Sequence, residues 1–176
     1  MERLPLVDPE TTSGRTRLLL DSLAKRRGRV THMVRVLANS PAATNAFFSF
    51  NAAMASSPIP ADLRERIAIA VAQANDCQTC LAAHTEFGRV EGVANHELDA
   101  ARTGHSENPF DDAVLQFALA ALEKNGKLDD GEMQVARAAG LDDALMLDIV
   151  ATVYINAFTN AVNHLAKTEP DYPRVA

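Results

Sequence analysis

The chain has 176 residues, of which 47% are apolar and 23% are charged, and its net charge is −6 at pH 7. This length suits one well-buried core, and the apolar fraction excludes an intrinsically disordered chain. The acidic balance argues against a nucleic-acid-binding protein, because such proteins usually carry a basic face. We therefore predict one folded domain over residues 1–176 and no nucleic-acid partner.

Helical periodicity runs through the whole chain. Aromatic residues make up only 5%, Trp is absent, and apolar residues recur at spacings of three and four. Proline, glycine, asparagine and aspartate separate the periodic segments. The pattern predicts an all-α protein with an N-terminal extension helix within residues 1–30. The predicted helices lie, in chain order, at about residues 13–26, 31–38, 41–55, 61–74, 77–87, 96–102, 110–124, 131–139 and 143–167.

A weak internal repeat accompanies this helical pattern. Residues 47–72 and residues 114–140 each have the pattern of an apolar helix, a polar turn and a second helix. The second segment contains no cysteine, so a duplication would concern the architecture and not the chemistry. The sequence leaves open whether the two segments descend from one helix-turn-helix unit.

The start of the chain and its longest apolar stretch bear on the expected location. The first fourteen residues contain no apolar signal-peptide core, and no segment approaches 18 uninterrupted apolar residues. We therefore expect a cytoplasmic protein without a membrane span. In a reducing compartment, a lone cysteine pair is more often catalytic or metal-binding than a permanent disulfide.

The segment "ANDCQTCLAAHTEFG", residues 74–88, contains the two cysteines of the chain, Cys77 and Cys80, together with His84. On an α-helix these three residues lie within an arc of about 60°. Two cysteines at this spacing near a helix N-terminus form the dithiol arrangement in which one thiolate attacks and the other thiol resolves. A permanent disulfide and a zinc site are the alternatives. Zinc would need a fourth ligand, and none of the other histidines stands at a metal-like spacing.

Two physical cues disagree about which thiol is ionised. Asp76 is a good N-cap residue, which would place Cys77 at the first helical position, where unpaired backbone N–H groups stabilise an anion. His84 lies one turn beyond Cys80, within hydrogen-bond reach of it. The helix end therefore favours Cys77 as the thiolate, and the imidazole favours Cys80.

Glu65 is a further candidate, twelve residues before Cys77 on the preceding helix. A tight reversal between the two helices can bring its carboxylate to the thiols. Its neighbours in the sequence, Arg64 and Arg66, lie off the apolar stripe of this helix, and a glutamate between them is by itself typical of a solvated surface. Spacing alone therefore leaves its role open.

The spacing of Glu65, Cys77, Cys80 and His84 resembles the motif of the AhpD-like alkylhydroperoxidase family, within the carboxymuconolactone decarboxylase superfamily. The segments "LANSPAATNAF", "LRERIAIAVA" and "NAFTNAVNH" are also similar to segments of that family, so the likeness covers about residues 34–171. The resemblance implies an all-helical bundle that assembles as a trimer or hexamer. We expect a homo-oligomer, with a hexamer favoured over a trimer.

The resemblance also implies an activity, the thiol-dependent reduction of alkyl hydroperoxides. By this likeness, Cys80 would be the peroxidatic residue, Cys77 would resolve its sulfenic acid as a disulfide, and His84 and Glu65 would belong to the proton relay. The implied partners are a hydroperoxide substrate and an external dithiol reductant of protein or lipoyl type. No cofactor and no metal ion are expected.

One position departs from the family pattern. The best-studied members carry a second histidine between the cysteines, where this chain has Thr79. A hydroxyl group passes a hydrogen bond but does not titrate near neutral pH. Two alternative functions are a decarboxylase acting on a lactone acid, whose relatives generally lack the cysteine pair, and a redox-sensing oligomer without enzymatic activity.

The last predicted helix has two features of its own. Its segment "IVATVYINAF" is too apolar for a helix with one broad exposed side, which predicts burial between subunits. Asn156, Asn160 and Asn163 follow at spacings of four and three. Interhelical hydrogen bonding is their simplest role, and a role at the pocket or at a subunit contact is the alternative.

Overall fold

The computed structural model describes residues 3–175, without the side chains of residues 26 and 27. Over these residues the chain forms nine α-helices and no strand, which confirms the predicted all-α class. Most helix ends lie within one or two residues of the predicted positions. The helices are α1 (Gly14–Arg27), α2 (His32–Leu37), α3 (Pro41–Met54), α4 (Ala61–Ala74), α5 (Gln78–Val90), α6 (Asn95–Ala101), α7 (Pro109–Glu123), α8 (Asp130–Ala138) and α9 (Asp143–Ala166).

Side-chain caps explain why several helices begin where they do. Ser40 caps α3 and Asn108 caps α7, each by accepting hydrogen bonds from backbone N–H groups of the first turn. Asp129 and Glu132 form a reciprocal capping box at α8, and Asp142 caps α9. Such polar residues are start signals in the sequence, which is why the predicted boundaries are close.

The main core surrounds α4. This helix packs most extensively on α5 and also contacts α6, α7 and α9. Residues 67–72 of α4 are almost completely buried, so this half of the helix has no solvent-exposed face. Because α4 carries Glu65 and α5 carries the cysteines, the same packing sets the position of the candidate site.

Arg66 is buried in this packing, although the sequence pattern placed it off the apolar stripe. It is 5% exposed. Its guanidinium contacts carboxylates of Asp62 at 3.0 Å, Glu97 at 3.0 Å and Asp111 at 2.7 Å. A buried cation needs compensating charge, and carboxylates of α6 and α7 supply it. Partners from distant segments thus explain why the pattern of α4 alone was misleading.

The long helix α9 packs on α4 and α7 and also contacts α2, α3 and α5. By length and by a mean hydropathy of 1.5, it is the helix among the described residues that would suit a membrane span. A core helix of a soluble protein has the same composition, and contacts with five helices identify α9 as a core helix. Four large apolar side chains remain exposed along it, namely Leu147, Tyr154, Phe158 and Leu165.

Both segments of the suspected repeat are helix-turn-helix units, α3 with α4 and α7 with α8. Their surroundings differ. α3 packs on α2 and α9, whereas α4 lies at the centre of the bundle, and α8 packs on α7. The resemblance is therefore one of local pattern, and the two units have different packing partners.

The N-terminal helices α1 and α2 adjoin the C-terminal segment, which lies beside α5. α1 and α2 share a smaller apolar cluster that includes Leu20 and Val34. The C-terminal segment, residues 167–175, joins this region because Asp171 accepts a hydrogen bond from the backbone N–H of His32 at 2.9 Å. In the same segment, the ring of Tyr172 packs edge-on against Phe87 of α5, with ring centroids 5.5 Å apart.

Candidate active site

The dithiol lies at the junction of α4 and α5. Asp76 has a φ of +52° and turns the chain between the two helices. Cys77 is the N-cap of α5, and its Sγ accepts a hydrogen bond from the backbone N–H of Cys80 at 3.4 Å. The prediction that Asp76 caps this helix is therefore wrong. The reversal needs a left-handed residue, which aspartate tolerates, so the cap falls on the next residue.

Cys77 and Cys80 are free thiols and are almost completely buried, at 2% and 3% exposure. A hydrogen bond between the two sulfur groups is the largest influence on the pKa of each. It lowers the pKa of Cys80, against the opposing effect of burial, and together with burial it raises the pKa of Cys77. Cys80 is thus the favoured thiolate and Cys77 the proton donor.

This asymmetry resolves the disagreement between the two sequence cues. The backbone N–H bond at the helix end does lower the pKa of Cys77, but the shared thiol bond and burial act more strongly in the opposite direction. The favoured thiolate is the one expected from the position of His84, Cys80. The donors that distinguish Cys80, however, come from α9 and not from the imidazole.

Two asparagines of α9 supply these donors. Asn163 Nδ2 donates a hydrogen bond to Cys80 Sγ at 3.1 Å, and Asn163 Oδ1 accepts one from Thr168 Oγ1 at 2.5 Å. Asn160 Oδ1 accepts a hydrogen bond from Asn75 Nδ2 at 2.9 Å. Asn163 and Asn160 both help to lower the pKa of Cys80.

The contact between Asn163 and the thiol was not anticipated from the sequence. Asn160 bonds to Asn75, the residue that follows α4, whereas Asn156 donates to the backbone carbonyl of Thr152 within α9 at 2.8 Å. The sequence contained one sign of such a contact, an amide within an apolar helix, because a buried amide needs a hydrogen-bond partner. That signal does not say that the partner is a thiol.

His84 and Glu65 are brought together by the packing of α5 on α4. His84 Nδ1 and Glu65 Oε2 are 2.6 Å apart, and about a quarter or less of each side chain is exposed. The carboxylate favours a proton on Nδ1, which leaves the lone pair of the neutral ring on Nε2. The pair therefore has the arrangement of an oriented base, one helical turn beyond Cys80.

Thr79 is tied to the C-terminal segment. Its Oγ1 donates to the backbone carbonyl of Thr168 at 2.9 Å. Thr168 is also the residue that orients the amide of Asn163. In this protein, the position between the cysteines holds the C-terminal segment against α5.

A surface pocket of about 330 Å³ opens beside the dithiol. Cys77 and Thr79 line it from α5, and His164 lines it from α9, where its Nε2 lies 2.8 Å from the backbone carbonyl of Asn75. Cys80 is not among the lining residues, so the pocket reaches the pair from the Cys77 side. Charges of both signs surround the opening, from Asp76, Lys167, Glu169 and Arg174.

A separate group of side chains has the ligand types that suit a metal ion. Among the described residues, His96, Glu97 and Glu107 have ligand atoms within 4.8 Å of one another. Glu97 already accepts hydrogen bonds from Arg66 and Ser106. This group has one histidine and neither cysteine, so it is separate from the dithiol.

The chain matches the model of the carboxymuconolactone decarboxylase family over residues 41–124. This range contains Glu65, Cys77, Cys80 and His84 and ends before α9. Among curated protein sequences, none matches the chain.

Solved structures match the fold over almost the whole chain. An uncharacterized peroxidase-related protein from Ralstonia eutropha JMP134, described as an alkylhydroperoxidase AhpD core, has a TM-score of 0.86 at 22% identity, covering 97% of this chain and 92% of its own. A peroxidase-related protein from Silicibacter sp. TM1040 has a TM-score of 0.83 at 21% identity, covering 96% and 90%. The debrominase Bmp8, as a cysteine-to-alanine variant in complex with 2,3,4-tribromopyrrole, has a TM-score of 0.77 at 19% identity, covering 97% and 94%.

At these identities the likeness concerns the fold, and it agrees with the family match over the helices that carry the dithiol. The chain therefore has the AhpD-like fold, and residues 41–124, which carry the dithiol, match the carboxymuconolactone decarboxylase family model.

Proposed function

We propose that this protein is a thiol-dependent peroxidase that reduces alkyl hydroperoxides through Cys77 and Cys80. The observation that carries the proposal is the asymmetry of the reduced pair. Donors converge on Cys80 and lower its pKa, while Cys77 remains protonated beside it. A peroxide is attacked by a thiolate, and the sulfenic acid that results needs a neighbouring thiol to resolve it.

The proposed cycle has three steps. The Cys80 thiolate attacks the distal peroxide oxygen, the O–O bond breaks, and the alkoxide leaves as an alcohol after taking up a proton. The Cys77 thiol then displaces water from the Cys80 sulfenic acid, and the two sulfurs form a disulfide. An external dithiol reduces this disulfide and is itself oxidised, which restores both thiols.

His84 and Glu65 serve as the proton relay in this proposal. With Glu65 on Nδ1, the Nε2 atom of His84 accepts a proton in one step and returns it in another. The relay contains one imidazole, because Thr79 occupies the position between the cysteines and directs its hydroxyl to a backbone carbonyl.

The pocket supports a particular direction for the reductive step. Cys77 lines the opening and Cys80 does not, so an incoming thiolate meets Cys77 first. Attack on the Cys77 sulfur releases Cys80 as the leaving group, and a thiol of lowered pKa leaves faster. The lowered pKa that makes Cys80 the nucleophile thus also favours its release as the leaving group.

The proposal includes a cytoplasmic homo-oligomer, with a hexamer favoured over a trimer. The exposed apolar side chains of α9 support an interface between copies, because a monomer rarely leaves such a row uncovered.

The decisive experiment compares wild type, Cys77→Ser and Cys80→Ser by mass spectrometry after one equivalent of tert-butyl hydroperoxide. We expect an intramolecular disulfide in wild type, a stable sulfenic acid on Cys80 in Cys77→Ser, and no oxidation in Cys80→Ser. Sulfenic acid on Cys77 in the Cys80→Ser variant would reverse the roles. Peroxide turnover that persists in both variants would exclude the dithiol mechanism.

Reductive debromination is the second candidate, because the fold also matches the debrominase Bmp8. Incubation of the reduced protein with 2,3,4-tribromopyrrole, followed by measurement of released bromide, distinguishes the two. We expect peroxide consumption to exceed bromide release by orders of magnitude. The opposite ratio would assign this dithiol to dehalogenation.

A further inference from the structure

Asn160 carries an unpartnered donor in the interior of the protein. The residue is 1% exposed, and its Nδ2 has no hydrogen-bond partner among the described residues. Leaving a buried amide donor unpaired is costly, and such groups call for an explanation. The Oδ1 of the same amide is held by Asn75 at 2.9 Å, so the amide has a defined orientation.

Asn160 lies one turn before Asn163 on the same face of α9, and Asn163 Nδ2 already contacts Cys80 Sγ at 3.1 Å. The two amides are held independently, one by Asn75 of the α4–α5 turn and the other by Thr168 of the C-terminal segment. Both amides help to lower the pKa of Cys80, so both donors face its sulfur, but only Asn163 makes a hydrogen bond to it.

We propose that Asn163 and Asn160 form a pair of amide donors for Cys80, in which Asn163 holds the thiolate sulfur and Asn160 binds the oxygen that a hydroperoxide transfers to it. This inference rests on the proposed peroxidase function. When the thiolate attacks, the distal oxygen bonds to sulfur and the electron pair of the broken O–O bond leaves with the alkoxide. The distal oxygen arrives with its hydrogen. When the leaving alkoxide takes up that proton and departs as an alcohol, the oxygen on sulfur bears the negative charge of a sulfenate, one bond from Sγ, until it is protonated again.

The unpaired state of Asn160 in the reduced protein gives this arrangement a catalytic advantage. A hydrogen bond that is absent before the reaction and present once oxygen binds to sulfur stabilises the transition state more than the ground state. Asn163 acts earlier, because its bond to the sulfur raises the fraction of Cys80 that is ionised.

The first test measures the thiolate of Cys80 by its absorbance at 240 nm against pH, in a Cys77→Ser background. Asn163→Ala should raise the pKa of Cys80 by about one unit, a tenfold loss of thiolate at pH values below it. Asn163→Asp, which still accepts the Thr168 bond but replaces the donor with a negative charge, should raise it further. All variants retain Glu65, His84 and His164, the titratable side chains that α4, α5 and α9 contribute near the site.

Asn156→Ala is the matched control, because Asn156 is the same residue type on the same helix and bonds only within α9 among the described residues. The thiolate absorbance of Asn156→Ala against pH should coincide with that of the Cys77→Ser parent. The role of Asn163 would be overturned if the Cys80 thiol had the same pKa in Asn163→Ala, Asn163→Asp and Asn156→Ala, with unchanged circular dichroism.

The second test measures the rate of sulfenic acid formation with tert-butyl hydroperoxide in the same background, at a pH where Cys80 is fully ionised in every variant. Asn160→Ala should be slower by about tenfold or more, whereas Asn156→Ala should match the parent. An Asn160→Ala rate equal to that of the control would overturn the role of Asn160. If the parent forms no sulfenic acid, the peroxidase proposal and the role of Asn160 fail together, while the titration still decides the role of Asn163.

Discussion

Glu65 Oε2 and His84 Nδ1 lie 2.6 Å apart, although 19 residues separate them in the chain. We predict that Glu65→Gln lowers kcat/KM for tert-butyl hydroperoxide by about ten- to a hundredfold, because it removes the carboxylate that accepts the Nδ1 hydrogen bond and orients the ring of His84. Steady-state kinetics from pH 6 to 9 measure this loss.

Glu86→Gln is the control for this substitution, since Glu86 pairs with Arg89 on the outer face of α5. It should leave kcat/KM within about twofold, as an exposed ion pair contributes little. A Glu65→Gln enzyme with the activity of this control would remove Glu65 from the mechanism.

The pKa shifts of the two thiols predict opposite effects of pH on stability. Below the ordinary thiol pKa of 9.0 and above the lowered pKa of Cys80, the unfolded chain binds a proton that the folded protein does not, so the free energy of unfolding rises with pH. Above 9.0, folded Cys77 keeps a proton that the unfolded chain loses, so stability falls as pH rises.

Urea unfolding under reducing conditions, from pH 6 to 10, measures this dependence as the difference between wild type and each cysteine variant. We expect the rising part of the curve to disappear in Cys80→Ser and the falling part to disappear in Cys77→Ser. If the free energy of unfolding of wild type minus that of Cys80→Ser declines steadily from pH 6 to 9, this result would contradict the lowered pKa of Cys80.

Arg66 should contribute strongly to stability through its contacts with three carboxylates. We predict that Arg66→Met lowers the free energy of unfolding by about 3–5 kcal/mol, because it leaves Glu97 and Asp111 partly buried without their cation. Urea denaturation measures this loss. Arg89→Met removes an exposed pair and serves as the control, with little change expected. Similar midpoints for both variants would show that the Arg66 cluster is not a stabilising contact.

The exposed apolar row on α9 should mediate the proposed self-association. A charge placed there by Phe158→Glu should convert the oligomer into a smaller species in sedimentation velocity, since burying an unpaired carboxylate in an interface is costly. Val135→Glu, at an exposed apolar residue of α8, is the control and should leave the sedimentation coefficient unchanged. A wild-type protein that sediments as a monomer at micromolar concentration would refute the oligomer.

Much of the fold follows from local signals in the sequence. Ser40, Asn108, Asp129 and Asp142 cap helices that begin within one residue of the predicted starts, because a cap depends on a few neighbouring residues. The helical spacing of Cys77, Cys80 and His84 is local in the same sense. The likeness to a known motif, and not spacing, added Glu65 to this set.

The conformation of Asp76 does not follow from its neighbours in the sequence. Its side chain suits a cap, but the chain reversal between α4 and α5 uses it as a left-handed turn residue, and the cap falls on Cys77. The choice depends on how two helices pack, which the sequence around Asp76 does not contain.

The sequence by itself determined the helices and the dithiol at the start of α5, because these depend on residues within a few turns of one another. Only the tertiary structure decided which thiol is favoured as the thiolate. The donor that distinguishes Cys80 comes from Asn163, 83 residues later in the chain. A contact over that distance is created by the packing of α9 against α4 and α5. It adds to the larger effect of the bond from Cys77, and both lower the pKa of Cys80.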